Sequence, residues 1–327
     1  MSPQPDSLNR RFTVAPMMDW TDRHCRYFHR ILSQHAVLYT EMVTTGALIH
    51  ADPDRFLRYN HKEQPVALQL GGSNVSELAQ CTKMAEEYGY NEVNLNVGCP
   101  SDRVQNNMIG ACLMAHPQLV SDCLHEMQRG VEIPVTVKHR LGIDDMDSYE
   151  ELVRFVETVA ESGCKVFIIH ARKAILQGLS PKENRDVPPL KYEWVYRIKQ
   201  QFPELEVHIN GGIKTIAECH THLQHVDGVM LGREAYQNPY ILADVDKEFY
   251  NSDLPKISRK GAALAMVPYI EEQLQQGTSL NHILRHMLGL FHAQRGGKQF
   301  RRLISENAHK PDASIDVLYQ ALERVPD

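Results

Sequence analysis

The stretch Asn94-Leu95-Asn96-Val97-Gly98-Cys99-Pro100 holds the most legible chemistry in the chain. Proline brings no N–H to a ladder and glycine frees the backbone to turn, so a Gly-Cys-Pro sequence ends a strand and leaves a thiol at its corner. In Glu92-Val93-Asn94-Leu95-Asn96-Val97 polar and apolar side chains alternate. Asn94 and Asn96 therefore face one side, and Val93, Leu95 and Val97 the other. A thiol in water titrates near about 8.5 and is a ready proton donor at neutral pH, whereas a nucleophile or metal ligand needs close positive charge. The competing reading is a buried core thiol, against which the corner and its two asparagines speak.

Further polar residues stand where other apolar runs end: Met17 with Asp19, Glu41, Gln69 in Gln69-Leu70-Gly71-Gly72, Lys138, His170, Asn210-Gly211-Gly212 and Gly232-Arg233. Each alone has a structural role open to it, such as a backbone partner for Gln69 or an ion pair for Lys138. Their recurrence at one end of successive strands points to a shared site. Asn210-Gly211-Gly212-Ile213 and Leu231-Gly232-Arg233 suit a phosphate, with glycines that let N–H groups approach an oxyanion and an arginine to bind it bidentately. Lys138 across from them is expected to act either as a permanent cation beside a bound ring or as a Schiff-base amine.

The elements that must position these groups are eight short apolar runs: Arg11 to Met17, Val37 to Glu41, Pro65 to Leu70, Glu92 to Val97, Pro134 to Lys138, Lys165 to His170, Glu206 to Asn210 and Gly228 to Gly232. Between them, Val75 to Tyr88, Leu119 to Arg129, Tyr149 to Ser162 and Ile216 to Gln224 carry the i, i+3, i+4 spacing of one-sided helices. Strictly alternating units need right-handed parallel crossovers, and eight of them predict an α/β fold, a closed (β/α)8 TIM barrel over residues 11–250. No G-x-G-x-x-G follows the first run, so a dinucleotide-binding open sheet is not indicated. Residues 251–327 read as a small all-helical domain, with helices over Ala262 to Gln276, Leu280 to Ala293 and Ile315 to Leu322, broken by Gly277 and by Gly296-Gly297. Residues 1–10 are polar and expected to be a disordered tail.

With 35 Lys and Arg against 41 Asp and Glu, the net charge of −6 excludes coating of nucleic acid by bulk attraction. A local basic cluster remains in Arg285, Arg295, Lys298, Arg301, Arg302 and Lys310, opposed by Glu306. Seven cysteines without a C-x-x-C pair suggest neither a disulfide framework nor a thiolate zinc site. The start lacks a signal-peptide pattern and no apolar run approaches the roughly 20 residues of a membrane span. A cytoplasmic protein without membrane contact, and a monomer, is expected. His282 with His286 and His220 with His222 have spacings a metal could use, but no third ligand accompanies them and they read as surface histidines.

Taken together, Ala15-Pro16-Met17-Met18-Asp19-Trp20-Thr21-Asp22, Gln69-Leu70-Gly71-Gly72, the Asn94 to Pro100 stretch, Val137-Lys138-His139-Arg140, Ile169-His170-Ala171-Arg172, Asn210-Gly211-Gly212-Ile213 and Gly232-Arg233 resemble the tRNA-dihydrouridine synthases. The likeness runs along the whole chain and is closest to the A type, through Asp19 to Arg26, Leu38 to Gly46, Val104-Gln105-Asn106 and Gly178 to Arg185. It implies FMN-dependent reduction of the C5=C6 bond of uridine in the tRNA D-loop, at positions 20 and 20a, with NADPH re-reducing the flavin from the same face. Cys99 would be the proton donor to C5. Pro16, Met17 and Met18 would pack under the isoalloxazine, Gln69 would meet its polar edge, and Lys138 would stabilise negative charge at its N1 end. His170, Asn210, Gly211, Gly212, Gly232 and Arg233 would hold the ribityl phosphate. Uridine would be flipped out of the RNA, with Asn96 as its reader and Lys182 and Arg185 at its edge or phosphates. Lys298 and Arg301, three apart on one helix face, would grip the tRNA backbone.

Three rival readings are a flavin barrel of the dihydroorotate- or enoate-reducing kind acting on a free small molecule, a Schiff-base aldolase using Lys138, and a tRNA-binding module without catalysis. The basic helical tail speaks against the first.

Overall fold

In a computed structural model, the protein is described over residues 8–101 and 108–326; Val104-Gln105-Asn106 and most of the N-terminal tail lie outside the described residues. Eight parallel strands close into a barrel in sequence order. They are β1 (Phe12–Val14), β2 (Val37–Thr44), β3 (Val66–Gly71), β4 (Glu92–Val97), β5 (Val135–Arg140), β6 (Val166–His170), β7 (Glu206–Asn210) and β8 (Gly228–Leu231). The strand-and-helix alternation read from the sequence is therefore the architecture.

Three strand ends differ by two or three residues, for reasons that can be named. β1 stops at Val14 because Pro16 has no N–H, and Met17 enters a turn in which its carbonyl accepts from Trp20 and Thr21. β2 runs on past Glu41 through an irregularity between Tyr39 and Met42, where the Thr40 hydroxyl takes the N–H of Gln69 that the break would orphan. β5 extends to Arg140, which places its guanidinium at the mouth.

The helices Val75–Glu87, Pro117–Gln128, Tyr149–Ala160 and Ile216–His222 stand where expected, while Arg23–Leu32 and Tyr192–Gln201 were not foreseen. The first of these is buried on nearly every side, with His24, Arg26, His29 and Arg30 all inside, so apolar spacing does not betray it. Its polar groups are compensated. Arg26 pairs with Glu63 at 2.8 Å, and Arg30 donates to the carbonyls of Ser33, Ala36, Glu63 and Pro65.

Arg10, placed by sequence in the tail, instead closes the barrel floor, with its Nε 2.5 Å from the buried Glu92 carboxylate. Past Tyr250, which exchanges hydrogen bonds with both backbone groups of Phe12, the chain is helical. The expected Ala262 to Gln276 helix is two, Arg259–Ala265 and Val267–Gln275, parted at Met266 before Pro268. Leu280 to Ala293 is helical only to Leu284 before tightening, and Gly296 in left-handed backbone opens the helix Gly297–Asn307. Among the described residues no helix is long and apolar enough to cross a membrane.

Candidate active site at the barrel mouth

Alternation along β4 sends Val93, Leu95 and Val97 into the layer between strands and helices, and Glu92, Asn94 and Asn96 into the barrel. The Asn96 side-chain oxygen accepts from the N–H groups of Gly98, at 3.1 Å, and Cys99, at 2.9 Å. On the other side the Cys99 carbonyl accepts from Ala111 at 2.8 Å. Gly110 lies so close that a Cβ there would stand 2.4 Å from that carbonyl oxygen, and its φ of 86° is one that glycine adopts freely. The Cys99 backbone is thus gripped from both sides while its side chain stays partly exposed.

Register sets the cations against this corner. Lys138 is the direct partner of Asn96 across the β4–β5 pair. Its Nζ donates to Asn210 Oδ1 at 3.1 Å, and Asn210 donates in turn to the Met230 carbonyl at 2.7 Å. Burial and neighbouring Arg140 push the Lys138 ammonium down to about 7. Asn210, expected at a phosphate, spends its amide orienting this lysine. Burial, then Arg140 and Lys138, hold His170 well below the ordinary range, which leaves a neutral imidazole.

Asn96 and Gln69 also depart from expectation. Gln69 Nε2 donates to Asn94 Oδ1 and its Oε1 accepts from Asn96 Nδ2, both at 2.8 Å. With its oxygen on the Cys99 corner and its amide on Gln69, Asn96 positions the thiol loop; a role as uridine reader has one N–H left to work with.

Gly211 and Gly212 have φ of 114° and 75°, and a Cβ on Gly211 would lie 2.6 Å from the His170 ring. Tyr192 anchors the turn by donating to the Gly211 carbonyl at 2.8 Å. Met17 closes over Gly232, and Met18 is 55% exposed at the rim with Pro16 half-buried beside it. Asp19 N–H donates to Glu41, and Trp20 stacks on Tyr236 with centroids 4.4 Å apart, tying the turn after β1 to the short helix Arg233–Gln237 after β8. Arg233 pairs with Asp186 at 2.8 Å, and Lys182 and Arg185 are exposed on the same loop. Arg172 Nε, two residues beyond β6, is buried with no hydrogen-bond partner among the described residues, while its Nη1 donates to the carbonyls of Asp186 and Pro188. Glycine-lined backbone and a neutral imidazole fit a phosphorylated group.

Arg140 was missed as a site residue. Buried at the end of β5, it donates to the carbonyls of Gly98 at 2.8 Å, and of Lys173 and Asn184 at 3.0 Å, fastening the thiol loop to the insertion after β6. Its spacing of two from Lys138 puts both on one strand face, a signal the sequence did carry.

In the tail, Lys298 and Arg301 are exposed and make no ion pair among the described residues, whereas Arg302 is held by Glu306 at 2.7 Å. Arg285 is not part of a free basic patch, since it binds Asp22 at 2.7 Å. His286 is buried against the same carboxylate and His222 against Tyr196, so neither is a surface histidine; His220 is exposed and pairs with Glu248.

The family model described as dihydrouridine synthase matches residues 13–325. The tRNA-dihydrouridine(20/20a) synthase of Vibrio cholerae is 61% identical over 97% of this chain and 97% of its own. That of Pasteurella multocida is 60% identical over 98% of each, and that of Pseudomonas aeruginosa 60% over 98% of this chain and 96% of its own. A solved structure of the old yellow enzyme homologue from Zymomonas mobilis superimposes with a TM-score of 0.52 at 11% identity, covering 77% of this chain and 92% of its own, a likeness of fold.

Proposed function

The chain belongs to the dihydrouridine synthase family, and from that premise we propose that it reduces the C5=C6 bond of tRNA uridines at D-loop positions 20 and 20a, with FMN as cofactor and NADPH as reductant. It is an oxidoreductase. FMN, when bound, supplies the reducing electrons to the base. Cys99 supplies the proton that C5 takes up, and the thiolate left behind lies in the field of Lys138, Arg140 and Arg185.

The other residues hold the partners in place. Lys138, aimed by Asn210, would meet the anionic end of the ring, and Gln69 its polar edge. Pro16, Met17 and Met18 form the apolar bed, and Gly211, Gly212, Gly232 and Arg233, with His170 as a neutral hydrogen-bonding group, receive the phosphate. Arg233 must then exchange Asp186 for that anion. Lys182 and Arg185 meet the substrate loop, and Lys298 and Arg301 the tRNA backbone.

The observation that carries this reading is the doubly held Cys99 corner set one strand from Lys138. The test is purified protein with unmodified tRNA transcript and NADPH. Flavin absorbance and dihydrouridine at positions 20 and 20a are expected, and Cys99→Ala is expected to lose the product by about 100-fold or more while its flavin still oxidises NADPH. Colourless protein, or full product formation by Cys99→Ala, would sink it.

A further inference from the structure

Below Cys99, a chain of hydrogen bonds descends through the barrel to its floor. Cys99 N–H donates to Asn96, Asn96 to Gln69, Gln69 to Asn94 and Asn94 to the Thr136 hydroxyl, each between 2.8 and 2.9 Å. Thr136 donates at 2.7 Å to the Glu92 carboxylate, which also takes Tyr39 and Arg10 at 2.5 Å. Glu92, Asn94 and Thr136 are fully buried, and Gln69 nearly so.

The direction of this chain is dictated from the bottom. A carboxylate facing Arg10 accepts only, so Thr136 must give it its proton and can accept only from an amide nitrogen above. That turns the Asn94 oxygen toward Gln69, the Gln69 oxygen toward Asn96, and the Asn96 oxygen toward the Cys99 N–H. One reversal would leave two oxygens face to face in a dry interior.

We propose that Thr136 and Asn94, oriented by Glu92, are positioning residues for the reaction: they fix the amide chain that holds the Cys99 corner at the mouth. The proposal rests on the reading of Cys99 as proton donor and deepens it. Neither residue reaches the substrate. Their effect passes through Gln69 and Asn96, and it differs from general stabilisation of the floor, because Tyr39 donates to the same Glu92 oxygen without belonging to the chain.

The experiment compares Thr136→Val, Thr136→Ser and Tyr39→Phe in the cofactor-loaded enzyme. Thr136→Val is expected to lower kcat for dihydrouridine formation by roughly 10- to 100-fold, with KM for tRNA and the rate of flavin reduction by NADPH unchanged. Alkylation of Cys99 by iodoacetamide, followed by peptide mass, is expected to speed up several-fold as the corner loosens. Thr136→Ser should restore both, and Tyr39→Phe should leave both as in the unmodified protein. If Thr136→Val does not fold, Asn94→Leu is read in the same way. Unaltered kcat in Thr136→Val beside an inactive Cys99→Ala overturns the relay alone. So does an equal loss in Thr136→Val and Tyr39→Phe. A fully active Cys99→Ala overturns the reading of Cys99, and the catalytic role of the relay with it.

Discussion

Lys138 on β5 and Cys99 in the turn after β4 meet through Asn96, which is the register partner of the lysine and accepts the Cys99 N–H. The lysine is held near the point of losing its proton, about 7 against the ordinary 10.5. Between those values the unfolded chain binds the proton and the folded one does not, so stability rises with pH across that window. Below about pH 7 the cost of burying the ammonium is present in full, and it fades as pH climbs toward 10.5. Cofactor-free Lys138→Met is therefore expected to melt above the unmodified protein at about pH 6, with the gap reduced to roughly half by about pH 9 in calorimetry; a gap that widens would contradict the assignment. An anion bound beside Lys138 reverses the sign by favouring the ammonium. The place of this side chain at a strand end was legible in the sequence and its charge was not, because the largest effect on it is burial, which comes only when the barrel closes and β7 sets Asn210 against the ammonium.

Strand ends were legible wherever alternation and a breaker coincide, as at Asn96 to Pro100 and at Asn210 to Gly212. They were misread where a side chain substitutes for backbone, as Thr40 does on β2, since its hydroxyl lets the strand continue past Glu41. The helix Arg23–Leu32 was hidden for a related reason, its inward face being made of compensated arginines and histidines. At the turn after β7 the constraint is steric. Gly211→Ala would press a methyl group to 2.6 Å from the His170 ring in backbone that L-residues avoid. It is expected to cost about 1–3 kcal/mol in stability and to empty the phosphate cradle, read as protein that melts earlier and purifies with less flavin. Unchanged melting and flavin content would mean that the loop has slack.

Across the whole molecule, a net charge of −6 is reconciled with an RNA substrate by segregation of the cations. Those of the mouth are partly committed, Arg140 to carbonyls and Arg233 to Asp186, whereas Lys298 and Arg301 are exposed on the tail with no ion pair among the described residues. Replacing both with alanine should weaken tRNA binding by roughly tenfold and reduce the salt dependence of log K by about 1–2, with NADPH oxidation intact. Equal affinity and slope at low salt would remove the tail from the interface.

The tail is fastened to the barrel at several places, one of them the turn after β1 and the helix that follows it. Tyr27 stacks on Tyr269 at 3.9 Å, and Asp22, the residue that caps the helix Arg23–Leu32, also receives Arg285 and His286. Burial raises its carboxyl, and the hydrogen bonds from His286, the Cys25 N–H and Arg285 outweigh that and hold it well below the usual range. The same few residues, Met17 to Asp22, thus serve as rim of the cavity and as docking plate for the appendage. A chimaera with a foreign tail would take Arg285 and His286 from that carboxylate and leave it to the N–H groups of His24 and Cys25, so exchanging the appendage reaches the rim of the barrel mouth.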